Sequence, residues 1–321
     1  MTDDSASSRT GYLLGTFAYL CWGMIPLYFA ALTARHVGAL EILAHRVVWS
    51  LPVMLGLTLA AVGWRPVVAV FRSRKLFLLM LLSAALLAVN WLLYIHATVI
   101  GKVTEGALGY FMLPLMNAFL GTVFLGEKLR PAHYPALAII AVGMLIPLAI
   151  AGQFTWLAVA LPVTFGLYGF VRKAVSVDSF TGLTVESFIM APAALAGLLY
   201  FAHTGRGHMG SDWTMNALFM VSGIVTVAPL LTYVMAIRRL PLIAMSFLQF
   251  ISPTTQVLIA LFVLGESPPW YVWAASGCVW AAMLIFMGDA LWQNRAKFRR
   301  TPRVTATPRG SYPPPSVALR P

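Results

Sequence analysis

The sequence predicts an all-α integral membrane protein of ten transmembrane helices, arranged as two inverted five-helix repeats. Three observations predict it. Of 321 residues, 60% are hydrophobic and only 10% charged, whereas soluble domains carry about a quarter charged residues. Apolar stretches near the ~20 residues needed to cross a bilayer recur ten times, at 12–31, 42–62, 76–100, 105–125, 133–151, 153–171, 182–203, 214–237, 241–264 and 270–291. The two halves also repeat each other at an offset of about 139 residues. Placing Leu125-Gly126-Glu127 on Leu264-Gly265-Glu266 sets Pro114 on Pro253, Phe111 on Phe250, Tyr94 on Tyr233 and Ser83 on Ser222 without a gap. Five spans per half is an odd number, so the second half enters the bilayer from the opposite side. The repeats are then 12–151 and 153–291, flanked by a polar N-terminus, 1–11, and a basic tail, 292–321.

The start of the chain carries Asp3 and Asp4 rather than a basic n-region, so the first apolar run reads as a membrane helix and not as a signal peptide. It contributes Trp22. The second span opens on His45 and Arg46. A centrally placed Arg costs roughly 2.5–3.5 kcal/mol on insertion scales, less if it snorkels. Arg46 therefore either snorkels to the interface or meets an anion, with Glu105 as an internal counter-charge. In the third span Ser83, Asn90, Tyr94 and Ala97 form one helical stripe, matched in the eighth by Ser222, Pro229, Tyr233 and Ala236. Packing through small residues explains Ser83 and Ala97, while Asn90, Tyr94 and Tyr233 are candidates to line a substrate site. Pro114 and Pro253 lie in the fourth and ninth spans as candidate kinks or gates. Each removes a helix hydrogen bond and frees the carbonyl four residues earlier, at Tyr110 and Gln249. Irregular backbone at membrane depth is tolerated where it is buried in protein or lines a wet cavity. Tyr110 and Gln249 thus join Trp22, Arg46, Asn90, Tyr94 and Tyr233 as candidate substrate-binding residues. Glu186 in the seventh span, and His45 near its equivalent position, are candidates for proton coupling, with a solvated or paired Glu186 as the alternative. Glu127 and Glu266 follow helix-ending glycines and are expected to favour the N-termini of the next helices.

Charge placement sets the orientation. Arg9, Arg65, Arg72, Arg74, Lys75, Lys128, Arg130, Arg172, Lys173, Arg238, Arg239 and seven tail residues make 18 of the 22 Lys and Arg on one side. Arg35, Lys102 and Arg206 are alone on the other, so both termini are expected in the cytoplasm. The net charge of +12 resides largely in the tail, whose basic residues suit anionic lipid headgroups better than nucleic acid. Cys21 and Cys278 both lie in apolar spans, which argues against a disulfide framework or thiolate metal site. Gly205, Gly207 and Gly210 match the dinucleotide fingerprint, but no strand precedes them, and a nucleotide site is rejected. No paired carboxylates, metal-ligand spacing or nucleophile elbow supports an enzyme, and no cofactor is expected. The expected partners are a small-molecule substrate and the bilayer, and the Gly11-x-x-x-Gly15 pair is compatible with a homodimer.

Several strings are similar to those of RarD permeases, in the EamA group of the drug/metabolite transporter superfamily. They are Glu41-Ile42-Leu43-Ala44-His45-Arg46-Val47-Val48-Trp49-Ser50, Asn90-Trp91-Leu92-Leu93-Tyr94, Leu108-Gly109-Tyr110-Phe111, Tyr168-Gly169-Phe170-Val171-Arg172-Lys173 and Phe247-Leu248-Gln249-Phe250-Ile251-Ser252-Pro253-Thr254. The resemblance implies ten helices in two inverted halves around a central cavity, in a bacterial inner membrane, and the label chloramphenicol-sensitive protein. Family members often carry Lys where this chain has Ala30, and Asn where it has Leu113, so the resemblance implies a less polar, less cationic cavity here. The function expected is a secondary transporter of a small metabolite or amphiphilic drug, working by alternating access. With no Walker motif, ATP is not its direct energy source. The alternative is a non-transporting scaffold or regulatory subunit acting through the basic tail.

Overall fold

The computed structural model describes residues 2–151, 156–267 and 269–300. They form thirteen helices, and no strand occurs among the described residues. The first half holds α1 (Thr2–Thr33), α2 (Ala39–Ala61), α3 (Arg65–Arg72), α4 (Arg74–Val99), α5 (Val103–Phe111), α6 (Leu113–Leu125) and α7 (His133–Ala151). The second holds α8 (Leu157–Ala174), α9 (Ser179–His203), α10 (Trp213–Ile237), α11 (Leu242–Leu248), α12 (Ile251–Phe262) and α13 (Trp270–Arg300). Eight segments are long and apolar enough to cross a membrane, two of them the paired helices α5–α6 and α11–α12. The apolar part of α7 is shorter, at His133–Pro147, and α8 has only 18 residues and carries Arg172 and Lys173 in its last turn. The short amphipathic α3 was not expected from the sequence. The last helix continues to Arg300, past the span end read at residue 291, and residues 301–321 of the basic tail lie outside the described residues.

The distribution of side chains is the reverse of a soluble protein. Phe262, Leu13 and Leu199 are more than half exposed, while Arg46, Asn90, Asn117, Glu186, Gln249 and Gln256 are each at most 3% exposed. Such an arrangement is stable only where the surroundings are hydrocarbon, because water would reward the opposite placement. The matched stripes of α4 and α10 face inward: Ser83, Asn90, Tyr94, Ala97, Ser222, Tyr233 and Ala236 are all buried.

Helices of one half pack mainly on helices of the other. Helix α2 lies against α9 and α10, α7 against α13, and α1 against α10 and α12. Helix α4 lies against α8 and α9, α5 and α6 against α8, α11 against α6, and α12 against α5. Glycines permit the closest approaches, as in other membrane bundles. Gly223 of α10 meets the Trp49 carbonyl of α2, Gly23 of α1 meets Thr255 of α12, and Gly143 of α7 meets Cys278 of α13. Gly11 and Gly15 face Leu240 and Leu248 of the same chain, so that glycine pair is used within the chain.

Polar contacts tie the two ends of the bundle. Gly126, at φ +65°, ends α6 in the left-handed conformation that glycine adopts without strain, and the turn closes from the Glu127 N–H to the Gly121 carbonyl at 2.8 Å. Gly265 and Glu266 repeat that turn onto Ala260. The Glu127 carboxylate does not serve the following helix as expected. It accepts the N–H groups of Leu242 (2.9 Å) and Ile243 (3.0 Å), capping α11 in the other half. Lys173 lies 4.0 Å from Glu127 and donates to the Ile237 and Leu240 carbonyls at 2.9 and 2.7 Å, closing the C-terminus of α10. At the opposite end, Glu41 accepts the His208 backbone N–H at 2.6 Å and lies 2.8 Å from its Nδ1, pinning the α9–α10 loop. Arg35 pairs there with Asp212 at 2.5 Å. The Met215 N–H, followed by Arg35, holds the Asp212 carboxyl below the usual carboxylate range.

Candidate functional site

A cavity lies where α1, α2, α4 and α8 meet the breaks in α5–α6 and α11–α12. Its empty space is about 540 Å³. A cavity of that size holds a few waters or a small organic molecule. Trp22, Arg46, Asn90, Tyr94, Tyr110 and Gln249 line it, together with Tyr19, Trp91, Phe165, Ser252 and Gln256. Tyr233 stands one layer behind, with its ring 5.2 Å from Trp22 and 5.0 Å from Phe165.

The prolines act differently from a simple kink. Pro114 lies in the first turn of α6 and Pro253 in the first turn of α12, where a missing N–H leaves no intrahelical bond unmade. The spans therefore break in two, at Met112 and at Gln249–Phe250. The breaks leave backbone carbonyls for other donors to meet. Gln249 Nε2 donates to the Tyr110 carbonyl at 2.7 Å, joining two positions equivalent in the repeat, and Ser252 N–H donates to the Gln249 carbonyl at 3.1 Å. Asn117 Nδ2 reaches Gln249 Oε1 at 3.5 Å. Pro26 inside α1 withholds a donor from the Trp22 carbonyl, and Gln256 Nε2 supplies one at 3.2 Å.

Asn90 crosses from α4 to α8, donating through Nδ2 to the Leu161 carbonyl and Thr164 Oγ1, both at 3.0 Å, while its Oδ1 accepts from Tyr110 Oη at 2.9 Å. Arg46 turns inward. Its Nε donates to Thr226 Oγ1 at 3.0 Å, and its guanidinium sits 4.6 Å over Trp91 and 5.3 Å over Phe29. The side chain of Glu105, the counter-charge considered for it, lies outside the described residues. Three buried polar atoms of the lining, Tyr19 Oη, Tyr94 Oη and Gln256 Oε1, have no hydrogen-bond partner among the described residues. Unsatisfied groups in a buried chamber are where a ligand's polar atoms gain most.

Glu186 and His45 are not in this cavity. Glu186 borders a second, smaller space beside α2, α4, α9 and α10, lined also by Ser50, Trp91, Ser187 and Thr226. Its Oε1 accepts from Ser83 at 2.5 Å and lies 3.6 Å from Arg172 Nε, and Tyr168 Oη reaches Oε2 at 3.5 Å. His45 stacks on Phe219 at 3.7 Å and stands 3.9 Å from Glu41. Arg172, counted as a loop charge from sequence, is fully buried, in the space that the absent side chain of Gly182 leaves.

Sequence reasoning passed over Gln256 and Asn117, although the repeat offset sets one on the other and both are polar. Tyr19, Trp91 and Phe165 carried no signal, because an aromatic in an apolar span reads as packing.

Residues 9–148 match the model of the EamA-like transporter family. An uncharacterized transporter of Vibrio cholerae is 39% identical, over 93% of this chain and 99% of that protein. Protein RarD of Salmonella typhi is 37% identical, over 92% of this chain and its own full length. A solved crystal structure superposes with a TM-score of 0.64 at 17% identity, covering 87% of this chain and 97% of that one, a likeness of fold.

Proposed function

This chain belongs to the EamA-like transporter family, among its RarD members, and on that premise we propose that it is a secondary transporter carrying a small metabolite or amphiphilic drug by alternating access. It is a multi-pass membrane transporter of the bacterial inner membrane, and membership of a transporter family implies a carrier rather than an enzyme. The observation that carries this reading is the chamber between the halves, walled by aromatic rings and holding three polar atoms with no hydrogen-bond partner among the described residues.

In this reading the chain crosses the bilayer ten times, five per half, with α5–α6 and α11–α12 each a broken crossing and α3 lying outside the count. The packing supports an inverted repeat. Exchanging the halves turns the contact of α1 with α10 into that of α8 with α4, and that of α2 with α10 into that of α9 with α4, while α2–α9 and α7–α13 map onto themselves. Such symmetry lets one pattern build a gate at each end. The basic connections support a cytoplasmic side for both termini by the positive-inside rule.

Glu127 is the inner latch: its carboxylate holds the start of α11 against the end of α6. Glu127→Ala removes two charge-assisted hydrogen bonds, about 1.5–3 kcal/mol each before solvent replaces them. The expected result is a population shifted toward the inward-open state. It is read as labelling by a thiol reagent about tenfold faster at a cysteine placed at Ser252, with Cys21 and Cys278 changed to serine. An unchanged labelling rate would remove Glu127 from the gate.

A further inference from the structure

The second space beside the chamber is the strongest feature that transport of substrate leaves unused. Glu186 of α9 is 1% exposed and meets groups from two other helices: Ser83 of α4 and Arg172 and Tyr168 of α8. Its pairing with Arg172 is loose. The closest described approach is 3.6 Å; among the described residues Arg172 Nε and Nη2 have no hydrogen-bond partner, and Nη1 reaches Met80 Sδ at 3.5 Å. A buried ion pair recovers its desolvation cost only with good geometry and satisfied donors, and this one has neither. Among the described residues the other walls of the space are uncharged: α2 turns Ser50 and Met54 to it, α10 turns Thr226, Val227 and Leu230, and α3 adds Val67 and Val70 to the neighbouring apolar cluster. Outside the space, Arg238 just past α10 acts electrostatically on Arg172, and Asp178 on Arg238.

The position matters as much as the pairing. Helix α4 belongs to one half and α8 and α9 to the other, so Glu186 sits on the seam along which the halves must slide. Trp91 lines both this space and the substrate chamber, and Thr226, on the wall of the smaller space, holds Arg46 on the wall of the larger. A change at Glu186 therefore reaches the chamber through two side chains.

We propose that Glu186 is the proton-binding site of the carrier, separate from its substrate chamber. The ligand is a proton rather than a metal cation, because Arg172 already supplies a fixed positive charge beside the carboxylate. One proton from water adds to the Glu186 carboxylate, and the pair passes from net zero to net +1. That weakens the hold of α9 on Arg172 within the second half and turns the charged acceptor met by Ser83 of the first half into a neutral one, which changes the preferred register of the two halves. This inference rests on the carrier reading for its consequence but not for its chemistry.

Two measurements test it. Infrared difference spectra of the purified protein, titrated across about pH 5 to 9, are expected to contain a protonated-carboxyl band that is lost in Glu186→Gln. In Ser83→Ala the band's midpoint is expected to rise by about one pH unit, because a hydrogen bond to the charged form is lost. In proteoliposomes loaded with a metabolite and amphenicol mixture, an imposed pH gradient is expected to change wild-type flux severalfold and to leave Glu186→Gln flux unaffected. No titrating band, or a gradient response that survives in Glu186→Gln, overturns the proposal. So does wild-type flux indifferent to the gradient. Absence of any flux counts against the carrier reading instead, and the infrared titration then decides the proton site by itself.

Discussion

Gln249→Leu should cut transport about tenfold or more while leaving the protein inserted and folded. The amide of Gln249 bridges the two broken crossings, donating to the Tyr110 carbonyl at 2.7 Å. Leucine has nearly the same bulk and no donor, so a buried carbonyl loses its partner, at a cost of about 1–3 kcal/mol. In a carrier that cost falls on the states in which the halves are joined at this point, and each 1.4 kcal/mol is about tenfold in a population. Insertion is not at risk, because the substitution makes the segment more apolar. Flux per folded molecule, normalised by gel filtration of the extracted protein, is the measurement. Wild-type flux would take Gln249 out of the site.

The largest effect on stability is expected from Gly223→Ala. A methyl group there would overlap the backbone carbonyl of Trp49 and crowd the Ser50 nitrogen, neither of which can rotate away. Helices α10 and α2 would have to part along a contact that also positions Arg46 against Thr226. Overpacking costs typically about 1–3 kcal/mol, and a backbone obstacle puts this site at or above the top of that range. The expected result is a lower thermal transition in detergent and poor recovery of monodisperse protein. Gly277→Ala is the control: a methyl at that position of α13 meets nothing within 4 Å, and no loss is expected. Equal transitions for the two variants would contradict the close packing of α2 and α10.

Much of this was legible because duplication writes a site twice. Tyr110 and Gln249 were found through their prolines and the shared offset, and the structure puts them in contact at that offset. The stripes of α4 and α10 were legible from helical spacing alone. What escaped depends on partners remote in sequence. Whether Pro114 and Pro253 kink or break a helix is settled by where the freed carbonyls find donors, and for Tyr110 that donor comes from the other half. Arg172 read as a connection charge because the sixth apolar run was ended at residue 171, and the space over Gly182 makes room to bury it. Glu127 was expected to serve α7, but its partners lie 115 and 116 residues away. In each case local pattern named a residue with something to satisfy, and tertiary packing chose what satisfies it.

The central claim is that substrate passes through the chamber between the two halves. Its most direct test is efflux from proteoliposomes loaded with a mixture of metabolites and amphenicols, read by mass spectrometry for wild type, Gln249→Leu and protein-free vesicles. The account predicts selective loss of one compound class from wild-type vesicles, sharply reduced with Gln249→Leu and absent without protein. Retention of every compound by vesicles holding verified folded protein, or equal efflux from wild type and Gln249→Leu, would contradict it.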